Sequence, residues 1–104
     1  MKELSAKATV VHTALTLMEA TKAENKVTSY AIEDFIIGTE DILEHGSCSN
    51  IEEETYENIV LEINIKSINT ILASLVRRGI VYKTEPSSVI IEGVTRTLRQ
   101  YYLK

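Results

Sequence analysis

Apolar side chains recur at three- and four-residue steps from the start of the chain. Leu4, Ala8, Val11, Leu15 and Met18 form one stripe of an amphipathic helix predicted to end near Asn25. Lys26-Val27-Thr28 then has the length of a bridge strand. Thr28 or Ser29 caps a second helix carrying Ala31, Ile32, Phe35 and Ile36, which Gly38 stops. Residues 39–50 read as a loop, and Asn50 with Glu53 offers a capping box for a short helix whose first turn, Glu52 to Glu54, suits the positive end of the helix dipole. Ile65, Ile68, Ile71, Leu72, Leu75 and Val76 share one sector of a further helix closed by Gly79. Two helices are expected between 51 and 78 rather than one rod, because β-branched Ile63-Asn64-Ile65 is a poor helix middle and Asn64 is a good cap.

Beyond Gly79 the periodicity changes. Ile80 to Thr84 and Val89 to Ile91 are β-branched runs, and Glu85-Pro86-Ser87-Ser88 between them suits a turn with proline at its second position. A β-hairpin over 80–91 is the expectation. After Gly93, with Thr95 as cap and Leu98 and Tyr101 or Tyr102 pointing inward, residues 94–104 are predicted to form a closing helix.

The charge pattern adds what periodicity does not show. The net charge of -4 divides unevenly. Residues 1–37 carry four basic and five acidic side chains, residues 38–62 carry none and eight, and residues 63–104 carry seven and two. A C-terminal part that faces a polyanion, and an acidic segment that points elsewhere, follow from this asymmetry. On the helix at 65–78 the face opposite the isoleucines and leucines carries Lys66, Ser67, Thr70, Ser74 and Arg77, flanked by Asn69, Ala73 and Arg78. No acid occurs from Ile63 to Thr84, whereas a merely solvated face usually mixes both signs. Arg, Lys and Asn match the acceptors on base edges in the major groove, and hydroxyls serve bases or phosphates. Lys83 and the Ser87-Ser88 turn are further candidates for contact with phosphates or a minor groove, and Arg96 and Arg99 extend the basic footprint.

The order helix, short strand, helix, acidic insertion (39–62), helix (64–79), hairpin (80–91) and closing helix (94–104) resembles the winged-helix family of α+β, mostly α, DNA-binding domains. The resemblance is closest from Lys66 to Glu92, where Leu75, Arg78, Gly79, Ile80 and Val81 fit the family's pattern of a helix released by glycine into the first wing strand. It extends to MarR-type regulators and to the small winged-helix domains of phage transcription activators, with no motif diagnostic of either. It implies one domain over 1–104 that reads double-stranded DNA with helix 65–78, regulates transcription, and forms a homodimer through its first and last helices. The alternative reading is a protein-interaction module that binds a component of the transcription machinery through the acidic segment.

Other chemistries find little support. His45 and Cys48 lie close together, but a structural zinc site takes four ligands and the chain has two histidines and one cysteine. No metal, cofactor or enzyme activity is expected. The four glycines at 38, 46, 79 and 93 are isolated and build no phosphate-cradling loop. Tyr30, Tyr56, Tyr82, Tyr101 and Tyr102 are assigned to packing or subunit contacts, and His12 to a surface or half-buried position. With one cysteine, no secretory leader pattern and no apolar run near ~20 residues, the expected location is cytoplasmic and off the membrane.

Overall fold

The computed structural model describes residues 4–38, 42 and 51–104. Among these residues the arrangement is α+β, with four α-helices sharing one core with the base of a ribbon made of two two-stranded antiparallel sheets.

Helix α1 (Ala6–Leu17) starts where the Ser5 hydroxyl accepts the Ala8 N–H at 3.2 Å. It ends eight residues before Asn25, so the first helix is shorter than its sequence pattern predicts. Glu19 adopts a left-handed φ of 59°, Ala20 N–H bonds to Leu15 C=O at 2.9 Å, and Glu19 N–H bonds to Thr16 C=O at 3.1 Å. This is a Schellman stop, built here without glycine. The stripe is also wider than predicted. Val10 and Ala14 are buried along with Ala8, Val11 and Leu15, because α1 packs on several elements at once.

Val27 makes an isolated antiparallel bridge to Tyr101, and the Thr28 hydroxyl then accepts the Ala31 N–H to cap helix α2 (Ser29–Gly38). The predicted loop at 39–50, with Asn50, His45 and Cys48, lies outside the described residues apart from buried Ile42. Helix α3 (Glu53–Glu62) begins after Glu52, which supplies no side-chain cap. Tyr56 and Ile59 anchor α3 in the core.

Between α3 and helix α4 (Ile65–Arg77) the chain turns by 110° across Ile63 and Asn64. A reciprocal capping box fixes this corner: Asn64 Oδ1 accepts the Ser67 N–H at 2.9 Å, and Ser67 Oγ accepts the Asn64 N–H at 3.0 Å. Ile68, Leu72 and Leu75 are fully buried against α1 and α2. Each such side chain contributes about 1.5–3 kcal/mol relative to exposure. Gly79, at φ 74°, ends α4 in a second Schellman motif, with Ile80 N–H on Leu75 C=O and Gly79 N–H on Val76 C=O. No single helix among the described residues is long and apolar enough to cross a membrane.

The C-terminal third overturns two expectations. Strand β1 (Val81–Lys83) pairs with β4 (Tyr101–Leu103), not with 89–91. Strand β2 (Ser87–Ile91) pairs with β3 (Val94–Leu98), so the predicted closing helix over 94–104 is two strands. The tight turn is Glu92-Gly93, with φ 52° and 80°, the two left-handed residues of a type I′ turn. Glu85 to Ser88 is therefore not the tip. The ribbon runs outward through β1 and β2 and returns through β3 and β4, with Thr84 N–H on Gln100 C=O and Gln100 N–H on Thr84 Oγ1 bridging the break beside Pro86. Val81 and Leu103 carry the ribbon's base into the core.

Candidate nucleic-acid interface

Helix α4 sits with its apolar sector against α1 and α2, which leaves Lys66, Asn69, Thr70, Ala73 and Arg77 exposed as one strip. The strip is rotated from its predicted position toward Asn69 and Ala73. Ser67 and Ser74 are half-buried on its flank, and the Ser67 hydroxyl is engaged in the cap, both accepting from Asn64 N–H and donating to Asn64 C=O at 2.9 Å. The reason is local: the residue at the third position of a capping box faces back along the chain and is held there. Thr70 donates to the Lys66 carbonyl at 3.0 Å and keeps its lone pairs outward.

Three open grooves border α4, and the first shares lining residues with each of the other two. One is lined by Ile65, Lys66, Asn69, Thr70, Ala73 and Arg77. A second brings Asn69 together with Ser29 and Tyr30 of α2 and with Thr97, Arg99 and Tyr101 from the ribbon. In the third, Lys7 of α1 meets Asn64, Lys66, Ser67 and Thr70. None of the described residues in these linings is a carboxylate. Among the described residues the ion pair is Lys7 with Glu62 at 3.3 Å, on the surface, and no carboxylate lies within ion-pair distance of Lys66, Arg77 or Arg99. Burial raises the Tyr101 phenol above its ordinary range, and the nearby Arg99 opposes that shift.

Other predicted site residues are elsewhere. Ser74, Arg78, Lys83, Ser87 and Ser88 do not border the grooves that hold Asn69 and Arg77. Arg78 is the C-cap of α4, and Lys83 is exposed on β1 opposite Tyr101. Ser87 and Ser88 open β2 at the base of the hairpin, opposite Leu98 and Thr97, and Ser87 Oγ lies 3.5 Å from Gln100 Oε1. The actual tip carries the acid Glu92. Conversely, Ser29, Tyr30 and Thr97 join the site without having been singled out for it. The Thr28 cap, which is readable in the sequence, is what places Ser29 and Tyr30 in the first turn of α2.

The hairpin leans over α2. By alternation Val89, Ile91, Val94, Arg96 and Leu98 share one face, and the Arg96 guanidinium lies 5.8 Å from the centre of the Tyr30 ring. The cleft between hairpin and α2 also holds Glu33 and Asp34, so its electrostatic character differs from that of the grooves along α4. Comparison with known proteins finds no matching family model, no matching curated relative and no matching solved structure.

Proposed function

We propose that the chain is a winged-helix, double-stranded DNA-binding regulator of transcription that presents α4 to the major groove. The observation that carries this reading is a set of grooves, with no carboxylate among their described lining residues, around a helix face made of Lys66, Asn69, Thr70, Ala73 and Arg77. Ala73 at its centre lets the helix approach the groove floor. Asn69 and Arg77 supply donors for base edges, and Lys66 and Arg99 supply charge for the phosphates on either side.

The element order supports the same reading. Helix α1, the Val27 bridge, α2, α4 and a returning ribbon whose last strand pairs with both Val27 and β1 follow the winged-helix sequence of elements, with α3 inserted. The wing in this account is β2–β3, with Glu92-Gly93 at its tip. Of the two helices expected to mediate a homodimer, the last is replaced by strands and α1 is mostly core, so the DNA reading is stated for the single chain.

Arg77→Ala is expected to weaken binding to a specific duplex by about 1–3 kcal/mol, and Lys66→Ala to weaken all duplexes alike while lowering the salt dependence by about one counterion. Both side chains are exposed, so the melting temperature should stay nearly constant. Fluorescence anisotropy alongside thermal melts checks both parts, and unchanged affinity in both variants would remove α4 as the reading helix.

A further inference from the structure

Helices α3 and α4, turned 110° at their junction, carry exposed residues of opposite charge. On α3, Glu53, Glu54, Glu57, Asn58 and Leu61 lie on the exposed side, away from Tyr56 and Ile59. Among the described residues no cation lies within ion-pair distance of Glu53, Glu54 or Glu57, and the one ion pair of this helix joins Glu62 to Lys7. Leu61 stands out of this acidic surface at 82% exposure, the largest exposure of any bulky apolar side chain described. The exposed strip of α4 is its counterpart: cations and amide donors around the small apolar Ala73.

The spacings also agree. Glu54 and Leu61 are seven residues apart, as are Lys66 and Ala73, which is about 10 Å along either helix at ~1.5 Å per residue. Leu61 seated over Ala73 with the helices parallel therefore brings Glu54 level with Lys66 and Glu57 level with Asn69, and Arg77 extends about one turn past Leu61. Within one chain, no ion pair joins these carboxylates of α3 to Lys66 or Arg77 among the described residues, so the match is left for a second molecule.

We infer that the Glu54–Glu57–Leu61 face of α3 docks on the Lys66–Ala73–Arg77 face of α4 in a second copy of this chain, so that self-association and DNA compete for one surface. The competition, though not the docking itself, rests on the DNA reading above. The contact is heterologous, so it adds further copies rather than closing a pair. Two single-helix faces fall short of the ~1,200 Å² of a stable interface, so the association is weak, and its ion pairs are exposed to screening.

Sedimentation velocity without DNA tests the docking. In about 50 mM salt the wild-type sedimentation coefficient should rise with protein concentration, and in about 500 mM salt it should return to that of the monomer. Glu54→Lys/Glu57→Lys and Lys66→Glu/Arg77→Glu should each be monomeric alone, since each then presents two faces of like charge. Mixed in equal amounts they should associate in alternation. Glu54→Gln/Glu57→Gln is the milder variant, with circular dichroism melts confirming its fold, and it should also abolish wild-type association. Wild type that stays monomeric in low salt, a mixture that does not associate, or undiminished association of the Gln variant would each overturn the inference. Duplex binding measured separately shows whether the DNA reading stands or falls on its own.

Discussion

Glu19 holds a backbone conformation that glycine adopts more readily, φ 59°, because the fold needs α1 to stop there and lead into Ala20, which is buried. A left-handed non-glycine residue costs about 1 kcal/mol. Glu19→Gly is therefore expected to stabilise the protein by up to about 1 kcal/mol, less the extra chain entropy of glycine in the unfolded state. Gly79→Ala, at φ 74° in the equivalent position of α4, should destabilise it by a similar amount. Urea denaturation of the two variants checks the pair, and opposite signs are the expected outcome. His12 gives a pH signature. It is half-buried and burial lowers its pKa, so the unfolded chain binds the proton more readily. Its contribution to stability is complete above about pH 6.5 and is lost as pH falls toward the lowered value. The fall in melting temperature between about pH 7 and pH 5 should shrink in His12→Gln relative to wild type, and an equal fall would contradict the assignment.

The elements show which sequence signals decide and which mislead. Asn64 was legible as a cap, and with it the break between α3 and α4, because an Asn between β-branched residues is both a poor helix interior and a good start. The α4 stripe was legible because three of its residues are fully buried on one side. The Schellman stop at Glu19 was not, since only glycine advertises a left-handed position. The C-terminal strands were missed because Leu98 and Tyr102 stand four apart and imitate a helix face. The competing signal was Glu92-Gly93 between β-branched Val89-Ile90-Ile91 and Val94-Thr95, a two-residue turn with strands on both sides, whereas Pro86 drew the turn six residues too early. That displacement carried Ser87 and Ser88 to the hairpin's base and put Glu92 at its tip. Ser67 left the exposed face for the same kind of reason: as partner in the cap its hydroxyl is bound locally, which helix periodicity alone does not register.

At the scale of the molecule, the charge division seen along the chain becomes a division in space. The acidic side chains of α3 and the cations of α4 are carried on two helices turned 110° from one another, and the ribbon and α2 bring Arg99 and Tyr30 to the groove beside Asn69. The net charge of -4 hides this, since it averages faces that point in different directions. Convergence of Asn69 with Ser29, Tyr30, Thr97 and Arg99 was not legible, because it depends on β4 pairing with both Val27 and β1 and so returning the ribbon past α2.

The proposal that the α4 side of the molecule neutralises phosphates of duplex DNA is tested by fluorescence anisotropy with labelled random duplex, titrated in salt from about 50 to about 200 mM. Dissociation constants of ~10⁻⁴ to 10⁻⁶ M that weaken steeply as salt rises are expected, with a shallower slope in Lys66→Ala. No binding at the lowest salt, or binding indifferent to salt, would contradict the account and turn attention to a protein partner for the acidic face of α3.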